Sequence, residues 1–310
     1  MDEVLDERLH LRAKAETRVL EPYTLQGLQE DIAQTRPGLK TGYEGLDKLI
    51  TIPQGAITII AGRPSHGKTT LLLNILLNMV RTYPEKPFFF FSYEESKRQV
   101  GLKLLNILSG DLIDERQNLI QLENYIRGKN TGRQKIEEGK AQFKEFTKSG
   151  RLWVIDEPYF VDDLADTIAH LKKRHDIGAV FIDYIQKVKI RGDYPMRQLE
   201  IQKISERILE TAKTLSIPII MGAQFNRQAG EEPKLEHLRE AGDIEKDANL
   251  VLGIYNEAMQ KAQDRHETLK DRKVDLKFTI LKNRNGIVNE DIILSFDRPI
   301  LTIKELWGYA

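Results

Sequence analysis

The sequence predicts an α/β fold, a mostly parallel central sheet flanked by helices and preceded by an N-terminal helical arm, on three observations. Apolar strand-length runs alternate with helix-length segments from Thr41 onward. Several of those runs are continuously apolar, as strands covered on both faces are. One strand-to-helix junction carries a Gly-bearing loop at residues 62–69.

The arm comes first. Residues 1–19 are charged and helix-favouring with sparse apolar positions, and Pro22, Pro37 and Gly38 punctuate the stretch after them. This separates an arm, 1–36, from a domain, 37–310. An isolated helix of that length is marginal in water, so it rests on its own domain or on a neighbouring subunit, or it frays. Within the domain, strands are expected at 56–61, 87–92, 152–155, 179–182, 217–222, 250–254, 276–281 and 292–296. Helices are expected at 69–82, 95–109, 133–148, 162–175 and 197–215. Two polar, charged stretches, 187–197 and 227–237, come after strands on the side where open α/β sheets place their sites.

Residues 62–69 read Gly-Arg-Pro-Ser-His-Gly-Lys-Thr, a full match to the phosphate-loop pattern, between the apolar run 56–61 and the helix that Leu71 and Leu72 begin. Gly62 and Gly67 are expected to let the backbone curl so that successive N–H groups face phosphate oxygens. Arg63, Pro64, Ser65 and His66 complete the turn, with His66 read as a loop substitution and not as a catalytic group. Lys68 supplies a mobile charge for the β and γ phosphates, the Thr69 hydroxyl is the expected Mg²⁺ ligand, and Thr70 extends the polar start of the helix. The helix N-terminus adds its dipole to the same anion site. A nucleoside triphosphate and Mg²⁺ are therefore the expected substrate and cofactor.

The later strand ends carry the discriminating residues. Val180-Phe181-Ile182-Asp183 is an apolar strand ending in a carboxylate, which holds Mg²⁺ on the phosphates or else caps a turn. The strand at 87–92 runs into Tyr93-Glu94-Glu95. Either glutamate can orient or deprotonate an attacking water, and either can instead open the next helix as a favourable N-terminal charge. Gln224, beyond the strand at 217–222, offers an amide to a γ-phosphate or to solvent.

Composition bounds the rest. At 310 residues and 40% apolar content the chain can bury one large α/β core. No apolar run is long enough to span a membrane, and the acidic start lacks a signal-peptide pattern. The absence of cysteine excludes a disulfide framework or a cysteine metal site and fits a cytoplasmic location. Lys plus Arg and Asp plus Glu both number 47, so nucleic-acid binding would have to come from a local patch.

Six segments in order carry a resemblance: 62–70, Ser92-Tyr93-Glu94, Ile182-Asp183-Tyr184-Ile185-Gln186, Gln224-Phe225-Asn226-Arg227, residues 238–248 around Leu238-Arg239-Glu240-Ala241-Gly242, and Lys282-Asn283-Arg284-Asn285-Gly286. Together they resemble the ordered motifs of the DnaB-type replicative helicase ATPase domain, a RecA-like P-loop NTPase, over roughly 38–296. The resemblance implies an ATP-dependent DNA helicase or translocase acting in DNA replication. It selects Glu94 as catalytic base, matches Asp183 to the metal-side carboxylate and Gln224 to the γ-phosphate sensor, and makes Lys282 and Arg284 a basic pair reaching into the neighbouring subunit's nucleotide. Arg284 comes after a strand, precedes a Gly turn and offers a planar donor fork for phosphate oxygens; Asn285-Gly286 is equally a hairpin signal. A finger supplied in trans implies a homo-oligomer, a hexameric ring in this family, with single-stranded DNA in its channel. Arg239, Glu240 and Gly242 match the residues that grip successive phosphates, and Lys187, Lys189 and Arg191 belong to the other channel-side loop. Each of those lysines can equally be part of a solvated basic face.

The sequence also departs from the family pattern. Proteins of this type carry an amino-terminal collar domain of about a hundred residues, whereas only the arm precedes the core, so a loader or collar-replacing protein is an expected partner. The arm resembles the linker helix that packs on the adjacent subunit. Two other readings compete: a RecA-like recombinase or KaiC-like regulatory ATPase, and a nucleotide-binding assembly or loading factor without motor activity. The Lys-Asn-Arg-Asn-Gly turn and the Leu-Arg-Glu-Ala-Gly loop weigh against the first, and intact Glu94, Asp183 and Arg284 against the second.

Overall fold

The computed structural model describes residues 22–157, 159–225, 232–241 and 244–306. The chain divides into two units, Met1–Pro37 and Gly38–Ala310. In the first, the described residues form helix α1 (Leu25–Gln34), started by Thr24, whose Oγ1 accepts the Gly27 N–H at 3.0 Å. Leu25, Leu28 and Ile32 recur at helical spacing and are all exposed, giving α1 an apolar stripe that the described residues of its own unit do not bury.

The second unit is built on a nine-stranded sheet. In chain order its strands are β1 (Ile57–Gly62), β2 (Phe88–Ser92), β3 (Leu152–Ile155), β4 (Ala179–Asp183), β5 (Ile219–Gln224), β6 (Leu250–Tyr255), β7 (Lys273–Asn283), β8 (Asp291–Asp297) and β9 (Thr302–Glu305). In space the order is β3-β2-β4-β5-β1-β6-β7-β8-β9. Pairing is parallel from β3 through β6 and antiparallel from there to β9. The helices are α2 (Glu44–Leu49), α3 (Lys68–Thr82), α4 (Lys97–Ser109), α5 (Asn118–Ile126), α6 (Gln134–Lys148), α7 (Val161–Arg174), α8 (Arg197–Leu215), α9 (Ile244–Asp247) and α10 (Glu257–Asp264).

The four phenylalanines of β2 show why such runs are strands. Phe88 and Phe90 join the core under α3 and α4, while Phe89 and Phe91 join the core under α7 and α8. Alternate side chains of a strand point to opposite faces, so a strand covered on both faces must be apolar throughout. The antiparallel extension obeys the other pattern: Val274, Leu276, Phe278 and Ile280 of β7 enter the core, and Lys273, Asp275 and Lys277 between them do not.

Several expected boundaries move for local reasons. The helix expected from 95 begins at Lys97, because Ser96 and Gln99 form a reciprocal capping box. The strand expected over 217–222 runs Ile219–Gln224, since Ala223 and Gln224 continue the ladder opposite Ala61 and Gly62. The strand expected over 276–281 extends at both ends, its solvent-facing charges having masked it. Strand β9 and helices α2, α5, α9 and α10 were not expected. Strand β9 is held by Asn74 of α3, whose Nδ2 donates to the Leu301 carbonyl at 2.9 Å and whose Oδ1 accepts the Ile303 N–H at 3.1 Å.

Topology places the site. Strand β1 has β5 on one side and β6 on the other, so the chain's winding reverses there, and ligands of open α/β sheets lie at the carboxyl ends of strands at such a point. The carboxyl ends of β1 and β5 meet at Gly62 and Gln224, and those of β2 and β4 at Ser92 and Asp183.

Candidate nucleotide site

Loop 63–67 leaves the end of β1 and enters α3. Gly67, the residue before the helix, has φ 95°, a left-handed conformation that side chains with a Cβ resist. Gly62 was expected to serve the same freedom, and the structure corrects this: it is the last residue of β1, and a Cβ there would lie 2.5 Å from Ile254 Cγ1. Its requirement is space against β6. The first internal bond of α3 runs from the Leu71 N–H to the Gly67 carbonyl at 2.9 Å, which leaves the amides of residues 68–70 directed out of the helix end, where anions bind.

Four side chains, Lys68 and Thr69 of α3 and Asp183 and Tyr184 at the end of β4, converge beneath that end. Thr69 Oγ1 donates to Asp183 Oδ2 at 2.7 Å. The Lys68 ammonium lies 4.2 Å from the centroid of the Tyr184 ring. Both charged groups are buried. Burial lowers the Lys68 pKa, with Asp183 and Glu94 opposing, and burial raises that of Asp183, with Lys68 opposing. Asp183 Oδ1 is buried with no hydrogen-bond partner among the described residues, an acceptor open to a cation or a bound water. A hydroxyl beside a carboxylate is the donor chemistry of a hard divalent cation. No group of three His, Cys, Asp or Glu able to hold a metal occurs among the described residues, so phosphate or water oxygens would have to complete its shell.

The two glutamates have different surroundings. Ser92 Oγ donates to the Glu95 carbonyl at 2.6 Å and accepts the Glu95 N–H at 3.3 Å, closing a tight turn after β2. Tyr93 N–H donates to the Asp183 carbonyl at 2.8 Å, fixing that turn to the end of β4. Glu95 then pairs with the half-buried Lys103 of α4, whereas Glu94 is exposed, with its charge felt at Lys68, Asp183 and Tyr184. Gln224 ends β5 opposite Gly62 with its residue half-buried.

His66 turns away from the loop mouth. It is fully buried, its Nδ1 accepts the Asn256 N–H at 3.1 Å, and its ring lies 5.7 Å from that of Tyr255. Burial, with the Arg63 charge second, pushes its pKa down to about 4. In the unfolded chain the imidazole titrates near 6.5, so between those values the unfolded state binds a proton the folded state refuses, and stability falls as pH falls. From pH 7.5 to pH 5 this one group is expected to cost about 2 kcal/mol. Urea unfolding of the wild type and of His66→Met at both pH values tests this. A pH dependence identical in the two proteins refutes the assignment.

The family model for the DnaB-like helicase C-terminal domain matches residues 38–305. The chain belongs to that family. It is 31% identical over 278 residues to a probable replicative DNA helicase of Trieres chinensis, covering 84% of this chain and 55% of that protein. To a probable plasmid replicative DNA helicase of Chlamydia muridarum it is 30% identical over 282 residues, covering 87% of this chain and 56% of the relative. The chain thus spans about half the length of the curated relatives it matches. Two solved structures share the fold at TM-score 0.74 and 21% identity. One is of a DnaB-like replicative helicase and its interactions with primase, covering 96% of this chain and 71% of that one; the other is of an ATPase domain, covering 91% and 97%.

In this DnaB-like domain the basic pair lies far from the loop. Gly62 is level with Ile254 and Phe278, whereas Thr58 is level with Leu250 and Asn283. Lys282, opposite Val251 and so level with Ile59, and Arg284, two residues further on, therefore sit toward the amino ends of the parallel strands, about 10 and about 15 Å along the strands from Gly62 at 3.3 Å per residue. There Lys282 Nζ donates to the Glu245 carbonyl and Arg284 Nη2 to the Lys246 carbonyl. Burial lowers the Lys282 pKa, and the Arg284 charge lowers it further.

Of the expected DNA-contact residues, Lys187 and Lys189 are exposed. Arg191 is exposed too, but its guanidinium pairs with both Asp163 oxygens, at 2.9 and 2.7 Å, over the Phe160 ring. Arg239 and Glu240 lie on the 3₁₀ segment Leu235–Ala241 with their side chains outside the described residues, as is Gly242. Sequence reasoning assigned no role to Tyr184, Lys103 or Gln186. Tyr184 and Gln186 stand in the same segment as Asp183, but Lys103 meets Glu95 only through the capped geometry of α4.

Proposed function

We propose that the chain is a cytoplasmic, ring-forming ATPase that moves along single-stranded DNA and separates strands in DNA replication, hydrolysing ATP between subunits. The observation that carries this reading is the split arrangement: phosphate loop, Asp183 and Glu94 at the carboxyl edge of the parallel strands, Lys282 and Arg284 toward their amino ends. A head-to-tail ring brings one copy's amino edge to the next copy's carboxyl edge, so each site takes its basic pair from a neighbour. The exposed stripe of α1 supports an adjacent subunit as the seat of the arm.

In this mechanism the amides of residues 68–70 at the start of α3 and Lys68 hold the phosphates, and Gln224 contacts the γ-phosphate. Thr69 and Asp183 would hold a divalent cation, Mg²⁺ in this reading, which when bound neutralises phosphate charge. Glu94 orients a water and takes its proton as the water oxygen bonds to the γ-phosphorus. The bond from that phosphorus to the bridging oxygen breaks, leaving ADP and phosphate. Arg284 of the neighbouring copy stabilises the charge that develops on the transferring group. Arg239, Glu240, Gly242, Lys187, Lys189 and Arg191 are read as the channel-side residues that follow the DNA backbone, and a loader or a collar-bearing protein as a further partner. Purified chain is expected to hydrolyse ATP faster with single-stranded DNA and to separate a forked duplex only with ATP. Absence of both activities overturns the reading.

A further inference from the structure

Strands β4 and β5 pair only as far as Ile182 opposite Met221. Beyond that rung β5 continues to Gln224, held on its other side by β1. The main-chain groups of Gln224 that face β4 thus have no strand opposite them, and a side chain fills the gap. Gln186 Nε2 donates to the Gln224 carbonyl at 3.0 Å, and Gln186 Oε1 accepts the Gln224 N–H at 3.2 Å. One amide replaces a strand residue. A second contact runs the other way: Arg197, the first residue of α8, donates from Nη2 to the Gln186 carbonyl at 2.6 Å. Gln186 therefore sits between the γ-phosphate side of the site and the basic segment 187–197, whose far end is Arg197.

We infer that Gln186 is a positioning residue that sets the reach of Gln224 toward the γ-phosphate and couples it to segment 187–197. The inference rests on the reading of Gln224 given under Proposed function. The chemistry calls for a side-chain amide. The position needs a donor and an acceptor on one rigid plane, which glutamate lacks once ionised and methionine lacks altogether. A residue that holds a reacting group matters because small misplacements of that group cost rate steeply. Its neighbours in sequence act on the same site, Asp183 through Thr69 and Tyr184 through Lys68. Residues 183–186 thus reach three of the groups that would surround the phosphates.

The test is a double-mutant cycle on the full chain, with kcat and KM for ATP measured with and without single-stranded DNA, and thermal unfolding recorded for each variant. Gln186→Met is expected to lower the DNA-stimulated kcat about tenfold with KM changed less than about twofold, and to change kcat less than about twofold in a Gln224→Ala background. Gln186→Glu, which keeps an acceptor for the N–H but sets a carboxylate against the carbonyl, is expected to follow the same pattern and carries the test if the methionine variant is unfolded. A slow Gln224→Ala with equal Gln186 effects in both backgrounds overturns the coupling alone. A Gln224→Ala protein with wild-type kcat removes the γ-phosphate role of Gln224 and the coupling with it.

Discussion

Arg284→Ala is expected to lower kcat for ATP hydrolysis by about a thousandfold, the low end of what an arginine finger contributes, while nucleotide binding at the variant's own loop stays nearly intact. The reason is geometric: Arg284 stands level with the start of β6, where its guanidinium donates to the Lys246 carbonyl, and the phosphate loop is at the other end of that strand row. Loss in trans has a signature that loss in cis lacks. In a mixture of Arg284→Ala and Glu94→Gln chains, an interface that takes its loop from the first and its finger from the second is whole. An equal mixture assembled at random should place about a quarter of its head-to-tail interfaces in that state. Activity in the mixture well above the average of the two variants measured separately supports the split site, and activity equal to that average refutes it. Arg284→Lys should rescue little, because a single ammonium cannot reproduce a planar fork on phosphate oxygens.

Glu94→Gln is expected to cost between about a hundredfold and ten-thousandfold in kcat, the range for loss of a positioned general base, with ATP binding retained. Glu95→Gln should change the turnover far less. Glu95 is engaged with Lys103 and belongs to the Ser92 turn, whereas Glu94 is exposed beside Lys68 and Asp183. Single-turnover phosphate release from both variants decides between them. A larger loss at Glu95 would move the base to that carboxylate, and equal losses would refute the assignment to Glu94 alone.

Much of the site could be read from contiguous residues. The run from Ile57 to Leu77 contains strand, loop and helix together, and the terms that shape it are local: apolar strand residues, a left-handed Gly67 and a helix end with unbonded amides. The strand ending at Asp183 was legible for the same reason. Strand β9 and the amphipathic β7 were harder, because their apolar content is diluted by charges that face solvent only once the partner element is in place. The residues expected to contact DNA divide likewise: Lys187 and Lys189 are exposed, while the Asp163 partner of Arg191 belongs to a helix 28 residues away in sequence and could not be seen from the basic run.

Sequence alone was enough for the α/β class, the phosphate loop and the identity of the residues at each strand end, because side-chain periodicity and turn chemistry act over a few neighbouring residues. Folding was needed to show that Lys103 occupies Glu95 and leaves Glu94 exposed, that Gln186 stands in for a missing strand beside Gln224, and that Arg284 lies a strand length from its own loop. Those three facts depend on register and on where ladders stop. Both are settled by the packing of all nine strands at once and are written in no single segment.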